Sequence, residues 1–226
     1  MQNALISGES KSTADAVFDK LHEDIVTLTL LPGTKISEAD VARQLGVSRQ
    51  PARDAFRRLH NLDLLEIRPQ RATVVRRFSL PEIENTRFVR AAIELEVVNR
   101  ACQVWDRSRA EKLTANLTLQ SDAVNTGDAA GFRSLDYVFH KLICDQAGLP
   151  MTFETINTCK GKVERLCKLS LSNPENATDV LEDHWLIADA LSRRCAKDAR
   201  AALRIHVGRL DAVIAEIYQT HTAYFQ

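Results

Sequence analysis

The sequence has no apolar run long enough to cross a lipid bilayer, which argues against a membrane protein. Its first ten residues, MQNALISGES, lack the basic and apolar parts of a secretion signal. We therefore expect a protein of the cytoplasm that has no membrane partner.

The cysteines of the sequence also form no motif of closely spaced pairs. Its five cysteines contain no Cys-x-x-Cys pair, which argues against a disulfide framework and against a zinc site built from thiolates. We expect them to be small buried hydrophobic residues. They are Cys102, Cys144, Cys159, Cys167 and Cys195.

An overall excess of charge is missing too, because 30 Lys and Arg residues balance 30 Asp and Glu residues. The balance is uneven along the chain. Residues 43 to 77 hold nine arginines and three acids, a surplus of six positive charges. Because counterion release depends on local charge, such a segment is suited to neutralising the phosphates of a nucleic acid. A solvated basic surface is the alternative interpretation.

Helical signals surround this basic segment. Apolar residues at helical spacing over 14–28 predict a first helix. Ser37 is placed to cap a short second helix that ends at Gly46, and Ser48 is placed to cap a third. Pro51 falls in the first turn of that third helix, where its missing amide hydrogen has no intrahelical acceptor in any case.

The third predicted helix has two distinct sides. Its apolar residues fall on one side, whereas Arg49, Arg53 and Arg57 recur every fourth residue along another. Two short helices joined by a glycine turn, with arginines at the amino end of the second, are typical of a helix-turn-helix that reads the major groove. Strands predicted at 64–67 and 73–75 would add a hairpin with a basic loop, which completes a winged helix.

These elements resemble the DNA-binding domain of the GntR superfamily of bacterial transcription regulators. The likeness covers residues 13 to 77 and lies in LPGTKISEADVARQLGVSRQPARDAFRRL followed by LLEIRPQRATVV. It implies a double-stranded DNA operator as partner. Arg49 and Arg53 match the family's base- and phosphate-contacting positions, and the predicted DNA-binding set also includes Ser48, Gln50, Arg57, Arg68 and the wing-tip Arg71.

Two positions depart from the family pattern. Asp63 stands where the recognition helix usually ends in glycine, and Ala72 stands where the wing usually turns on a glycine. Aspartate tolerates a left-handed backbone, whereas alanine at a positive φ would be strained. The path of the wing and its minor-groove contact are therefore open at this point.

Beyond Phe78 the sequence predicts helices alone. Capping and break signals divide the remainder into six, at about 80–104, 108–126, 129–147, 151–171, 175–194 and 197–220. The expected fold class is mainly α. We expect an N-terminal winged helix-turn-helix with a small β-hairpin wing over residues 1–78, followed by an all-α six-helix bundle over residues 79–226.

A carboxylate and three histidines form a second group in this predicted bundle. Asp136 and His140 lie four residues apart in LDYVFH, so both project from one helical face and could share a cation. His184 and His206 lie on the last two predicted helices among apolar neighbours. From the residues alone, a satisfied surface pair and hydrogen-bonded core histidines are the commoner explanation.

The same region resembles the FCD ligand-sensing domain of FadR-type members of the superfamily, over about residues 80–218. The likeness lies in D-x-x-F-H, then EDH-x-x-I-x-x-AL, then a histidine 22 residues later. It implies that Asp136, His140, His184 and His206 bind a divalent transition metal. Three imidazoles and a carboxylate suit zinc, nickel or manganese.

The resemblance also implies effector-binding residues. Arg90 and Glu94 match the R-x-x-x-E of the family's first helix, where Arg90 would face the carboxylate of a small organic acid. An ion pair on the helix surface is the alternative for these two residues. Leu149 stands where the pattern usually has asparagine, which leaves the choice of effector open.

Both resemblances together predict a homodimeric transcription regulator, most simply a repressor, whose operator affinity changes when a small carboxylate binds at the metal site. Such a protein is not an enzyme. A metal-dependent hydrolase is one alternative, although the sequence contains no HExxH-type motif to supply a general base. A constitutive DNA-binding protein whose helical bundle only dimerises is the other.

Overall fold

The computed structural model describes residues 12–68, 71–171 and 174–226. The chain folds into two compact units. The first ends at Phe78 and also contains Ala223–Gln226, and the second is Ser79–Thr222. The last four residues, which the sequence assigns to the second domain, lie with the first unit, because the backbone of Phe78 bonds to Tyr224 and Gln226.

The first unit combines three helices with a small antiparallel sheet. The helices are α1 (Thr13–Val26), α2 (Glu38–Leu45) and α3 (Arg49–Asn61), and the strands are β1 (Lys35–Ile36), β2 (Leu65–Glu66) and β3 (Thr73–Val75). The strand order is β1-β3-β2. The predicted hairpin thus gains a third strand, with Lys35 opposite Val74. A strand of two residues is too short to show the alternation on which sequence prediction depends.

Local hydrogen bonds account for the ends of α2 and the start of α3. The Ser37 hydroxyl accepts the Asp40 amide hydrogen, and Gly46 ends α2 at a φ of 66°. A left-handed φ of this kind costs glycine little because it has no Cβ. Ser48 does occupy the N-cap position of α3, but its hydroxyl makes no capping hydrogen bond with the described residues. That part of the prediction was wrong.

The core of the first unit fixes the rotation of α3. Ala52, Ala55, Phe56 and Leu59 are fully enclosed by apolar residues of α1, α2 and the sheet. Burial of side chains such as Phe56 and Leu59 contributes about 2 kcal/mol each. Because this side of α3 faces inward, the side that carries the arginines faces solvent.

The two departures from the family pattern have different outcomes. Asp63 adopts a φ of 58°, as expected for a residue in place of glycine, and its carboxylate contacts the Arg76 guanidinium at 2.5 Å. Among the described residues, the non-glycine positive φ angles belong to Leu28, Asp63 and Arg194. Ala72 is not in this group, so the strain considered for the wing at that position is absent.

The described part of the second unit is all helical. Its helices are α4 (Leu80–Val104), α5 (Arg107–Thr126), α6 (Ala129–Gln146), α7 (Thr152–Leu171), α8 (Pro174–Ser192), α9 (Ala196–Gly208) and α10 (Leu210–Thr220). The sixth predicted helix is therefore two helices, interrupted at Arg209. Gly208, a weak helix former, precedes the break, and the Arg209 guanidinium bonds to Asp179 and Asp183 on α8.

An apolar core joins α4, α5, α6, α7, α8 and α9. Leu117, Phe139, Ile156, Ile187 and Leu191 are completely buried in it, and Leu149 packs against it from the loop after α6. In this core, the helices that carry the predicted metal ligands pack against one another.

The cysteines follow the expectation where the structure describes them. Cys102, Cys144 and Cys159 are buried free thiols, and Cys195 is half-buried. The side chain of Cys167 lies outside the described residues. None of the described helices combines the length and the apolar character that a bilayer crossing requires.

Candidate DNA interface and metal site

The amino end of α3 presents the predicted DNA contacts to solvent. Ser48, Arg49 and Gln50 are exposed there, and Arg53 and Arg57 follow on the same side of the helix. The Arg53 guanidinium lies 3.2 Å from the Glu38 carboxylate of α2. Exposed guanidinium groups at the start of a helix can reach base edges or phosphates, and helix N-termini attract phosphate.

Arg58, on the same helix, differs from these arginines because its guanidinium makes both an ion pair and a cation–π contact within the protein. Its guanidinium lies 2.7 Å from the Asp15 carboxylate and 3.9 Å from the centre of the Phe18 ring. Both contacts lie on α1. Although Arg57 and Arg58 are adjacent in sequence, Arg58 therefore differs in its role, because it holds α1 against α3.

The wing residues lie beside β2 and β3. Arg68 contacts the Glu66 carboxylate, and the Arg71 amide donates a hydrogen bond to the Arg68 carbonyl oxygen over 3.3 Å. Both arginines are exposed. This hydrogen bond brings the backbones of the two wing arginines close together.

The four predicted metal ligands converge in the second unit. Asp136, His140, His184 and His206 each offer one ligand atom, and these atoms lie within 4.8 Å of one another. Asp136 Oδ1 lies 3.4 Å from both His140 Nε2 and His184 Nε2. His140 Nε2 and His206 Nε2 are 3.3 Å apart. The alternative of a satisfied surface pair was wrong, because all three histidines are buried.

Three helices deliver these side chains. The spacing of four residues places Asp136 and His140 on one face of α6, and His184 of α8 stacks on the Phe139 ring with centroids 3.9 Å apart. His206 lies in the last turn of α9, before the interruption at Arg209. Packing of the shared core therefore determines where the imidazoles meet.

Neighbouring polar groups set the orientation of two imidazole rings. His140 Nδ1 lies 2.6 Å from Glu94 Oε2, and His184 Nδ1 lies 2.8 Å from Gln120 Oε1. Since both oxygens are acceptors, each Nδ1–H donates and each Nε2 keeps a lone pair that faces the cluster. The Gln120 amide is itself oriented, because its Nε2 donates to Asn116 Oδ1 over 2.7 Å.

The electrostatics of the cluster favour neutral rings at His184 and His206 and ionised carboxylates at Asp136 and Glu94. Burial lowers the pKa of His184, and burial with the neighbouring His184 and His140 holds the pKa of His206 well below its ordinary range. Burial alone would raise the pKa of Asp136, but the Lys160 ammonium and the two histidines outweigh it and lower that pKa. For Glu94 burial is likewise outweighed, chiefly by Arg90 and His140, so its pKa is lowered.

This chemistry fits a divalent cation. His184 Nε2 is buried without a hydrogen-bond partner among the described residues, and it faces an Asp136 oxygen that is also an electron-pair donor. Two lone pairs directed at each other are unfavourable unless a cation lies between them. Neutral imidazoles and a carboxylate are ligands of zinc, nickel and manganese.

The predicted effector residues form a buried ion pair on α4. Arg90 Nε lies 2.5 Å from Glu94 Oε1, and both side chains are at most 10% exposed, so the alternative of a surface pair was wrong. Arg90 Nη2 lies 3.3 Å from His140 Nε2, at the edge of the metal cluster. Glu94 contacts Arg90 with one carboxylate oxygen and His140 Nδ1 with the other. It therefore lies on the Nδ1 side of the His140 ring, whereas Nε2 faces the cluster.

Three residues near the cluster were not found by sequence reasoning. Gln120 and its partner Asn116 are polar residues among the apolar ones on the buried side of α5, and polar residues at such positions are a signal in the sequence. Asp183 Oδ2 lies 3.9 Å from His206 Nδ1, and it directly precedes His184 in the sequence. Lys160, which contacts Asp136, comes from α7 and carries no sequence signal.

Known proteins resemble this chain over nearly its whole length. Residues 13–75 match the family of bacterial regulatory proteins called the gntR family, and residues 86–209 match the FCD domain. The HTH-type transcriptional repressor RspR of Escherichia coli (strain K12) is 32% identical over 209 residues, which is 92% of each protein.

Two solved structures share the fold. The E. coli protein McbR/YncC has a TM-score of 0.70 at 21% identity, covering 92% of this chain and 100% of its own. Lar, which controls the expression of the Listeria monocytogenes agr system, has a TM-score of 0.68 at 16% identity, covering 93% and 100%. The predicted fold class is confirmed. The alternative of a metal-dependent hydrolase was wrong, because the matching family consists of transcription regulators. The chain belongs to the GntR family, and it is a DNA-binding transcription regulator with an FCD domain, not an enzyme.

Proposed function

We propose that the protein is a homodimeric repressor whose affinity for its operator changes when a small organic acid binds at a divalent metal in the FCD domain. One observation carries this proposal: Asp136 and three buried imidazoles each bring one ligand atom to within 4.8 Å of the others. Such an arrangement is expensive in a protein interior unless it holds a cation.

The proposed DNA contacts come from α3 and the wing. Two recognition helices in a dimer would read the two halves of a pseudo-palindromic operator in successive major grooves. The set consists of Ser48, Arg49, Gln50, Arg53, Arg57, Arg68 and Arg71. Because bacterial operators lie in the cytoplasm, that is where we expect the protein to act.

The proposed metal ligands are Asp136, His140, His184 and His206. Zinc, nickel and manganese all suit this donor set, and a bound metal would supply a Lewis acid that attracts a carboxylate oxygen. Arg90 then offers a guanidinium at the edge of the same site, 3.3 Å from His140 Nε2. Glu94 supports the site by fixing both Arg90 and His140.

Effector and operator must influence one another equally, since coupling between binding sites is reciprocal. We expect a coupling of about 1 to 3 kcal/mol, or roughly 5- to 150-fold in affinity. Repression that the effector relieves is the simplest form of this coupling.

The DNA part of the proposal is tested by mobility-shift titration of promoter fragments across a range of salt concentrations. Arg49→Ala and Arg53→Ala should each cost about 1 to 3 kcal/mol of specific binding. Arg107→Ala, at an exposed position of the FCD domain, is the matched control and should bind as the parent does. Unchanged affinity in both α3 variants would refute the assignment.

The metal part is tested by elemental analysis of purified protein. Wild type should retain about one equivalent of metal per chain, and His184→Ala should lose it, because one of four ligands is gone. His221→Ala replaces an exposed histidine and should retain the metal. A wild type without metal, or a metal content unaffected by His184→Ala, would overturn this part.

A thermal-shift screen of organic acids, with and without chelator, then tests the effector. A ligand that binds only the native state raises the melting temperature. A shift that the chelator abolishes would support binding at the metal, whereas a shift that survives chelation would place the ligand elsewhere.

A further inference from the structure

Lys160 of α7 approaches the metal cluster from a side that the predicted ligands do not occupy. Its Nζ lies 2.5 Å from Asp136 Oδ2, while the other Asp136 oxygen faces His140 and His184. The Asp136 carboxylate is thus shared between imidazoles and an ammonium group.

Lys160 and Asp136 are the more exposed side chains of this group. The side chains of Lys160 and Asp136 are 16% and 13% exposed, whereas those of His140 and His184 are 2% and 0% exposed. Lys160 and Asp136 are therefore more accessible to a ligand from solvent than the imidazoles of His140 and His184.

The charges around the cluster balance without a metal. Arg90 faces Glu94, and Lys160 faces Asp136, so two cations oppose two anions. The Asp183 carboxylate faces Arg209, which also contacts the more exposed Asp179. A divalent cation at this point would add two positive charges with no counterpart, and an uncompensated charge in a protein interior is costly.

The ammonium group has hydrogen-bonding capacity left for a ligand. It carries three donors on a flexible stem, and the hydrogen bond to Asp136 uses one of them. Lys160 can therefore bind a second carboxylate while it still contacts Asp136.

We propose that Lys160 is an effector-binding residue, and that the effector is a dianion with two carboxylates, of which one lies at the metal and the other is held by Lys160. This inference rests on the proposed metal-bound effector and narrows it to dicarboxylates. Arg90, on α4, lies at the cluster beside His140 and supplies a second cationic contact for the metal-proximal carboxylate.

The test uses the zinc-loaded full chain and isothermal titration with oxalate, malonate, succinate and, as the monocarboxylate, acetate. Wild type should bind one of the dicarboxylates at least about tenfold more tightly than acetate, as expected for an additional charge-assisted hydrogen bond. Lys160→Met keeps the length of the side chain and removes its charge. It should lose about tenfold in dicarboxylate affinity, with acetate affinity changed less than about twofold.

Lys112→Met, at an exposed position of α5, is the matched control and should behave as wild type. Zinc content and circular dichroism are measured for every variant, and Lys160→Gln replaces Lys160→Met if the latter does not fold. Equal dicarboxylate affinity with and without Lys160 overturns the proposal. So does a wild type that holds zinc but does not prefer a dicarboxylate over acetate, or a Lys160 variant that loses zinc. A wild type that holds no zinc, nickel or manganese overturns the proposed function itself.

Discussion

Gln120 Oε1 lies 2.8 Å from His184 Nδ1, and both side chains are completely buried. The hydrogen bond fixes the imidazole so that Nε2 faces Asp136. A group that orients a metal ligand typically contributes 10- to 100-fold to metal affinity.

Gln120→Leu should therefore weaken metal binding by about 10- to 100-fold without replacing any ligand. Competition with a chromogenic chelator measures the affinity. Thr118→Ala, at an exposed position of the same helix, serves as the control and should leave metal affinity unchanged. If Gln120→Leu binds metal as tightly as wild type, the hydrogen bond has no part in the site.

The metal-free protein should lose stability as the pH falls. His184 and His206 have pKa values below the ordinary 6.5 in the folded chain, so below that pH the unfolded chain takes up protons that the folded chain does not. Asp136 and Glu94 have lowered pKa values as well, and they add a further loss as the pH falls through their ordinary values of 3.8 and 4.5.

Urea unfolding between pH 8 and pH 5, in the presence of a chelator, measures this effect. The free energy of unfolding should be constant above about pH 7 and fall below the ordinary histidine pKa. His206→Gln cannot titrate and should show a shallower fall. A free energy that stays constant down to pH 5 would contradict neutral buried imidazoles.

Arg57 and Arg58 form a natural matched pair on α3. Arg57→Ala should weaken binding to all DNA sequences alike and reduce the slope of log affinity against log salt by about 1, as expected for one lost phosphate contact. Arg58→Ala removes the contacts with Asp15 and Phe18, so it should lower stability by about 1 kcal/mol and leave the salt slope intact. Equal salt slopes for the two variants would contradict the assignment.

The segment Ala223–Gln226 should stabilise the DNA-binding unit. Phe225 is buried with its ring centre 5.3 Å from that of Phe78, and the Phe78 amide donates a hydrogen bond to the Tyr224 carbonyl oxygen over 2.8 Å. Phe225→Ala should destabilise this unit by about 2 to 3 kcal/mol, somewhat less than a fully enclosed phenylalanine.

Hydrogen exchange of the amides in α1 and α3 provides the measurement for that variant, because a loss of unit stability lowers their protection. Gln226→Ala removes an exposed side chain but keeps its backbone hydrogen bond to Phe78, so exchange should be unchanged. Protection in α1 and α3 that is the same in Phe225→Ala as in wild type would show that the segment is dispensable for the unit.

Residue spacing within single helices was sufficient to predict which residues of α3 and of α6 share a face. The arginines of α3 recur every fourth residue opposite Phe56 and Leu59, so their exposure follows from burial of the apolar side. Asp136 and His140 share a face of α6 for the same reason. Periodicity reports what lies on one side of an element, and this information is local to that element.

Only the tertiary structure decided which groups meet across elements. Gln120, Glu94 and Lys160 approach the histidine cluster from three other helices, and their places depend on how those helices pack and rotate. The third strand and the return of Phe225 to the first unit also depend on contacts between residues that are distant in the chain. The energy of such a contact depends on both residues, so the sequence pattern around one of them cannot predict it.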